Sequence, residues 1–356
     1  MDEEDAKVNR RTALTLGAAA GAALMTESAP LVAASNPQAL SSKDRSRHIA
    51  SIERDDGTRL FYRDWGRGEP IVFVHSWAVN SDMWGYQMMP LVQAGYRCIA
   101  YDRRGHGRSS DPGRGYDYDT LSDDLAALID ALDLHNVTLV GHSMGCGEII
   151  RCYTRHGANR LAKIALLAPV APFMLKTTDN PDGVDNAFFQ ATRTAWQRDL
   201  PRWIAENTAP FFTPDTSPQM IQWCVNMLFQ ASMQAIVESG VAAAETDFRA
   251  ELARIRTPVL VIHGTADVSA PLALTGQRVA KLIPGSELRV YEGAPTDFSS
   301  RTSSGLTPIC CASCAAELGP GSVAAGAQAR SAPAHARSCV FSRSAGPTFA
   351  HRSRPQ

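Results

Sequence analysis

Short apolar runs separated by longer mixed segments are the main pattern of this chain. After an alternating stretch at residues 58–63, mainly apolar runs recur at residues 71–74, 97–100, 137–140, 164–167, 259–262 and 288–291. Strands that are apolar on both faces are typical of a buried parallel sheet. Between two of these runs, leucine and isoleucine recur at helical spacing, at positions 121, 125, 128, 129 and 132. We therefore predict an α/β fold with a doubly wound, mostly parallel sheet and right-handed crossovers.

The strand-and-helix spacing changes between about residues 171 and 247, where large apolar side chains concentrate. These are Phe188, Phe189, Trp196, Trp203, Phe211, Phe212, Trp223 and Met227. A helical cap inserted over the ends of the strands accounts for this segment. Each aromatic residue taken alone fits core or lid packing, but as a group they predict an apolar pocket.

The N-terminal residues have the features of an export signal. Two arginines, Arg10 and Arg11, precede an alanine- and glycine-rich run that ends near Met25, and small residues follow at positions 33 and 34. We predict a twin-arginine signal over residues 1–34, a linker over 35–47 and an α/β domain over 48–295, hence a periplasmic or extracellular location. The run is too short and too weakly apolar for a stable membrane span. The alternative is a frayed N-terminal helix on a cytoplasmic protein.

Charge and cysteine content narrow the possible partners. Lys plus Arg number 35 and Asp plus Glu 36, so the formal net charge of −1 gives no electrostatic basis for binding nucleic acid. Cys311 and Cys314 form a CxxC spacing without a second pair or a nearby histidine, so we expect no metal site. A small, largely uncharged molecule is the expected partner.

The sequence Gly141-His142-Ser143-Met144-Gly145 directly follows one of the apolar runs and precedes a helix-compatible stretch. A strand, a sharp turn and a helix in this order present a serine as a nucleophile, and small residues on both sides permit the turn. We predict Ser143 as the nucleophile. The N–H of Met144, at the start of the helix, is predicted to donate to a developing oxyanion.

Two further residues complete the predicted site. The loop after the run at 71–74 reads His75-Ser76-Trp77, and the backbone N–H of Trp77 is the candidate second oxyanion donor. Packing of Trp77 against the cap is compatible with that role. Asp267 follows the run at 259–262 and is the candidate acid that orients a catalytic base, although an aspartate there could also cap a helix.

The stretch from about residue 52 to 295 resembles the α/β-hydrolase family, and within it the cofactor-free haloperoxidase and esterase branch. The resemblance rests on His75-Ser76-Trp77, the segment at residues 101–110 (YDRRGHGRSS), the segment at 141–145, Phe173-Met174-Leu175-Lys176, and His263-Gly264 with Asp267. It implies a Ser-His-Asp hydrolase without metal or cofactor, and in the family the loop that contains His106 is structural. Relatives more often carry glycine at the position of Ser76, so the shape of the oxyanion loop is open.

The resemblance ends after Pro295. Relatives continue with the catalytic histidine, a glycine and a closing helix, whereas this chain continues with Thr296. Residues 296–356 are rich in serine, alanine, arginine and proline without an apolar period, so we predict a disordered tail that is foreign to the family. His335 and His351 could replace the base only if that tail reached the pocket.

A one-base slip after the Pro295 codon is our hypothesis for the break. With synonymous codons chosen for residues 296–314 and one C restored in front, the shifted frame reads HGLLVTHIERLNADLLRFL, which has the histidine, the glycine and an amphipathic helix. The alternative is a genuine lineage-specific tail.

The predicted chemistry is attack of Ser143 on a small apolar or aromatic carboxylic ester. Perhydrolysis, seen as haloperoxidase activity without haem or metal, is the first alternative that the resemblance implies. A crippled or non-catalytic protein is the second, because loss of one triad member usually removes several orders of magnitude of turnover.

Overall fold

The structure is a computed structural model and describes residues 50–296. Its centre is an eight-stranded sheet in the order β1-β2-β4-β3-β5-β6-β7-β8. The strands are β1 (Ser51–Glu53), β2 (Arg59–Gly66), β3 (Pro70–Val74), β4 (Arg97–Tyr101), β5 (Val137–His142), β6 (Leu161–Leu167), β7 (Val259–Gly264) and β8 (Glu287–Tyr291). β2 pairs antiparallel with β1 and β4, and all other neighbours are parallel. The predicted doubly wound, mostly parallel sheet is confirmed.

Eight α-helices connect or cover the described strands. They are α1 (Gly85–Gln93), α2 (Tyr118–Ala131), α3 (Met144–His156), α4 (Asn186–Asn207), α5 (Pro218–Leu228), α6 (Met233–Glu245), α7 (Arg249–Leu252) and α8 (Gly276–Leu282). Helices α4, α5 and α6 lie in the chain between β6 and β7, within the segment predicted as a cap. α4 is kinked, because Asp199 has non-helical dihedral angles just before Pro201.

The core lies on both faces of the sheet, as the continuous apolar runs require. In β3, Val72 and Val74 belong to one buried cluster, and Ile71 and Phe73 belong to another. Successive side chains of a strand point to opposite faces, so every residue of such a strand must be apolar when both faces are covered. This packing fixes the carboxyl ends of the parallel strands, where the candidate site residues lie.

The helices α1 and α7 and the strand β1 were not predicted, and three predicted segments lie outside the described residues. β1 has only three residues and none of them is buried, so it has no apolar signature. α1 contains Pro90, which breaks the expected helical pattern. The predicted export signal, the linker and the tail beyond Thr296 lie outside the described residues. Within residues 50–296, no helix has the length and apolar character needed to cross a membrane.

Candidate active site

Ser143 occupies the sharp turn that the sequence predicts. β5 ends at His142, α3 begins at Met144, and Ser143 between them has φ 53° and ψ −116°. Positive φ in a residue with a side chain costs about 1–3 kcal/mol and persists only where the surroundings enforce it. The Ser143 N–H donates to the Leu167 carbonyl of β6 at 2.8 Å, which helps to hold the turn. The side chain is largely buried, since the residue is 8% exposed.

The two glycines of the motif are required by close backbone approaches. A Cβ at Gly145 would lie 2.5 Å from the Val74 carbonyl oxygen, and one at Gly141 would lie 2.9 Å from the backbone nitrogen of Cys146. Contacts this short with backbone atoms cannot be relieved by a rotamer change. The glycines therefore let α3 fold back against the ends of β3 and β5.

The two candidate oxyanion donors lie on adjacent parts of the sheet edge. β3 and β5 are parallel neighbours with Val74 opposite Gly141, so the loop that contains Trp77 follows directly beside the turn at Ser143. Met144 is the first residue of α3, and its N–H therefore has no carbonyl partner inside the helix. Among the hydrogen bonds of residues 50–296, none uses the backbone N–H of Trp77 or of Met144 as a donor.

A buried network of polar side chains lies behind this loop. The Arg103 guanidinium forms an ion pair with Glu148 of α3, and both side chains are essentially inaccessible, at 1% and 0% exposed. Arg103 also donates to the carbonyl of His75 at 2.8 Å and to that of Ser76 at 3.3 Å. The Tyr101 hydroxyl donates to Glu148 Oε2 at 2.7 Å. The network joins β4, the loop after β3 and α3.

The side chain of Trp77 connects the loop to the cap. Its indole Nε1 donates to the Ile236 carbonyl of α6 at 2.9 Å, and its ring lies 4.5 Å from that of Trp196 in α4. Trp77 therefore packs against the cap, and this packing is compatible with a donor role for its backbone N–H.

Asp267 lies three residues after β7, two strands away from β5 with β6 between them. Its Oδ1 accepts hydrogen bonds from the Ala270 N–H at 2.8 Å, from Ser269, and from the Thr296 hydroxyl. Burial alone raises the pKa of this carboxyl, but contacts with His263, Thr296 and Ala270 outweigh it, so the pKa of Asp267 lies below its usual value. Asp267 is thus held as a carboxylate, in an Asx-type turn that also fits the capping alternative.

Thr296, which stands where the family resemblance places the base, contacts the candidate acid directly. Besides donating to Asp267, its hydroxyl lies 2.8 Å from Ser269 Oγ. Oδ2 of Asp267 is buried and has no hydrogen-bond partner within residues 50–296, although His263 Nε2 lies 3.4 Å from it. A hydroxyl cannot accept a proton from serine at neutral pH, so Thr296 does not supply a base.

Besides His75 in the loop after β3, three buried histidines lie near the site, and each donates to a main-chain carbonyl. His142 Nε2 donates to Thr296 at 2.9 Å, His263 Nε2 to Ala270 at 2.7 Å, and His106 Nδ1 to Arg104 at 2.8 Å. No hydrogen bond within the described residues involves Ser143 Oγ. The structure therefore brings none of these three histidines to the serine as a base.

Several residues at the site were not singled out from the sequence. Ala78 and Ala168 have positive φ, 58° and 44°, at the loops that follow β3 and β6. Alanine carries no sequence signal for that conformation, whereas the Gly-x-Ser-x-Gly pattern marks the turn at Ser143. The Arg103–Glu148 contact joins residues far apart in the chain and has no local pattern. In the part of the chain that the structure describes, no cluster of three or more His, Cys, Asp or Glu side chains could hold a metal ion.

Comparisons with known proteins agree with this fold. The family model for the α/β-hydrolase fold matches residues 69–296. A non-heme chloroperoxidase of Kitasatospora aureofaciens is 41% identical over 244 residues, which cover 67% of this chain and 89% of the relative. A bifunctional esterase/perhydrolase of Acinetobacter calcoaceticus is 34% identical over 259 residues, 68% of this chain and 91% of the relative.

Among solved structures, a bromoperoxidase from Bacillus anthracis superposes with a TM-score of 0.69 and 33% identity, covering 76% of this chain and 98% of its own. The matches extend over nearly the whole length of these relatives. The strand order, the turn at Ser143 and the relatives lead to one conclusion: the chain belongs to the α/β-hydrolase fold family, and its homologues are non-heme haloperoxidases and esterases.

Proposed function

We propose that this fold performs acyl transfer on small apolar or aromatic carboxylic esters, with Ser143 as the nucleophile. The strained turn at Ser143, beside the N–H groups of Trp77 and Met144, is the observation that carries the proposal. In this chemistry the serine oxygen attacks the ester carbonyl and the two N–H groups stabilise the oxyanion. A base passes the serine proton to the leaving oxygen, so that the alcohol departs and an acyl-enzyme remains. Water then releases the acid.

A second outcome of the same acyl-enzyme is perhydrolysis. Hydrogen peroxide in place of water would release a peracid, which oxidises halide without a metal or cofactor on the protein. The chloroperoxidase and esterase/perhydrolase relatives support this alternative. Assays with hydrogen peroxide and bromide, beside assays with p-nitrophenyl acetate alone, distinguish the two activities.

For the polypeptide as it stands, we propose residual activity only, because Thr296 cannot act as the base that Asp267 would orient. A one-base slip after the Pro295 codon would account for the loss. Sequencing the source DNA across codons 293–300 tests this directly: an extra base means that the true product carries the histidine, and an unchanged reading means a natural chain without its base.

Export through residues 1–34 is proposed on the twin-arginine pattern alone and is tested by fractionating cells that express the full chain.

Labelling with an activated phosphonate tests the nucleophile itself. We expect slow modification of Ser143, located by peptide mass spectrometry, and none in Ser143→Ala. Circular dichroism would establish that both proteins are folded. A folded parent chain that is not labelled would contradict the proposal and favour a non-catalytic binding protein.

A further inference from the structure

Arg103 is surrounded by acceptors that belong to two different elements of the site. Its Nε and Nη2 donate to Oε1 of Glu148, with the Nε contact at 2.7 Å. Nη2 also donates to the His75 carbonyl at 2.8 Å, and Nη1 donates to the Ser76 carbonyl at 3.3 Å. One planar cation therefore bonds two successive carbonyls of the loop after β3 and the carboxylate of α3.

His75 gives the Ser76 carbonyl a second donor. The Arg103 backbone N–H donates to His75 Nε2 at 2.9 Å, so Nε2 carries no proton and the neutral ring has its proton on Nδ1. Burial, with the neighbouring Arg103 charge, holds the pKa of His75 well below its usual value, so the ring stays neutral. His75 Nδ1 lies 2.8 Å from the Ser76 oxygen and donates to it.

The carbonyl held in this way belongs to the peptide that carries the Trp77 N–H. In a trans peptide the C=O and the following N–H point in opposite directions. We infer that Arg103 is a positioning residue: by holding the Ser76 carbonyl from behind, it turns the Trp77 N–H toward the reacting oxyanion. This inference rests on the proposed acyl transfer at Ser143.

Glu148 connects the Arg103 contacts to the second oxyanion donor, the N–H of Met144. It lies four residues after Met144 in α3, so the two residues share one face of the helix. The Arg103–Glu148 ion pair thus fixes the Ser76–Trp77 peptide relative to the helix start that offers the Met144 N–H. The spacing of the two oxyanion donors therefore depends in part on this buried ion pair.

A neighbouring ion pair provides a matched control. Arg104 pairs with Asp124 of α2 through bonds of 2.7 and 2.8 Å, and these side chains are 3% and 1% exposed. Arg104 has the same charge as Arg103, a similar burial and the next position in the chain. Its side chain donates to Asp124 and to Asp56, and not to the loop after β3. A merely structural role of buried arginine would affect both pairs alike.

The first experiment measures phosphonate labelling of three full-length proteins. These are the parent, the double variant Arg103→Met/Glu148→Gln and the double variant Arg104→Met/Asp124→Asn. The double variants avoid a buried carboxylate left without its cation. We expect the maximal labelling rate to fall about 10- to 100-fold in the Arg103 variant, with the reagent concentration for half-saturation unchanged, because a misplaced oxyanion donor weakens transition-state stabilisation. The Arg104 variant should label at the parent rate. Arg103→Lys, which keeps a single cationic donor, should recover part of the rate.

A second measurement observes the peptide itself, independently of reactivity. Ser76-Trp77 is the single Ser-Trp dipeptide in the sequence, so ¹³C-carbonyl serine and ¹⁵N-tryptophan give one carbonyl–amide correlation in an NMR spectrum. Loss of the Arg103 donor should shift the ¹³C resonance of the Ser76 carbonyl upfield. The Arg104 variant should leave this chemical shift unchanged.

The outcomes separate this inference from the proposed function. The inference is supported if the Arg103 variant, and not the Arg104 variant, shows both a changed ¹³C shift of the Ser76 carbonyl and slower labelling. Equal slowing in both arginine variants, an unchanged labelling rate in the Arg103 variant, or an unmoved carbonyl overturns it. Absence of Ser143 labelling in the folded parent overturns the proposed function, and the inference falls with it.

Discussion

The two ends of the candidate site differ in completeness. At the carboxyl ends of β3 and β5, the turn at Ser143 and both candidate oxyanion donors are present and held by backbone contacts. At the ends of β7 and β8, Asp267 is present, but Thr296 occupies the position of the base. All residues of the nucleophile end precede Pro295 in the chain, whereas the acid end depends on a residue that follows the last strand. A change after Pro295 therefore affects one end and spares the other.

Replacement of residues 296–314 by HGLLVTHIERLNADLLRFL should remove the difference between the two ends. The histidine would accept the serine proton and Asp267 would orient it, so we expect esterase turnover to rise at least about 10⁴-fold. Hydrolysis of p-nitrophenyl acetate provides the measurement. The same replacement with alanine at position 296 is the matched control and should stay at the level of the parent chain. Equal activity of both variants would refute a missing base as the cause.

Asp267→Asn should have a large effect in one chain and a small effect in the other. In the chain with the restored histidine, loss of the carboxylate disorders the base, and turnover should fall about 10³- to 10⁴-fold. In the parent chain position 296 is threonine and offers Asp267 no base to orient, so the labelling rate of Ser143 should change less than about threefold. A large loss in the parent would mean that Asp267 acts on the serine by another route.

Gly145→Ala should damage the end of the site that is intact. The added Cβ would lie 2.5 Å from the Val74 oxygen, a backbone atom that cannot move away cheaply. We expect the free energy of unfolding to drop by about 1–3 kcal/mol and Ser143 labelling to slow. Urea unfolding measures the first effect. Gly85→Ala, where a Cβ meets no atom within 4 Å, is the control and should leave stability unchanged or slightly higher.

Acid should weaken the nucleophile end before the carboxylates titrate. Burial lowers the pKa of His75 far below its usual value and the pKa of His106 to about 3, and it also lowers that of His142. Their contribution to stability is complete above the unfolded pKa of about 6.5. It is lost as the pH falls from there to the folded pKa of each group, at no more than about 1.4 kcal/mol per pH unit for each group.

Urea unfolding between pH 7 and pH 4.5 tests this dependence. His106→Asn keeps a donor for the Arg104 carbonyl and should reduce the slope of stability against pH by the share of one group. An unchanged slope would mean that His106 does not contribute to the acid sensitivity.

Thr296→Val should have the smallest effect, at the acid end. It removes the hydroxyl donor to Asp267, so the pKa of the carboxyl should rise and the unfolding free energy at pH 7 should fall by about 1 kcal/mol. The pKa of Asp267 is lowered in the folded chain, so its contribution is present above the usual aspartate range and is lost as the pH falls through the folded pKa. The difference between the two proteins should therefore shrink below about pH 4. A constant difference would mean that the hydroxyl acts only through packing.

The sequence allowed most of the fold to be predicted because the sheet is buried on both faces. Continuous apolar runs reveal such strands, whereas β1 at the exposed edge and α1 with its internal proline carry no comparable pattern. The turn at Ser143 was recognisable because its two glycines are local necessities.

The remainder of the site depends on contacts between distant residues. The bond from Arg103 to the Ser76 carbonyl and the ion pair with Glu148 join three separate segments, and each of these residue types is ordinary by itself. The positive φ of Ala78 has no marker in an alanine. Tertiary packing determines such features, so a reading of local patterns cannot reveal them.

Trp77 has a consequence for how this fold can diverge. Its indole is anchored to Ile236 and stacked on Trp196 in the cap, while the N–H of the same residue is the proposed oxyanion donor. A lineage that remodels the cap to admit a bulkier acyl group would displace this donor and change the reaction rate as well. Substrate range and turnover are therefore expected to change together. An enzyme with a new specificity should first be slow, and later substitutions around Trp77 should restore its turnover.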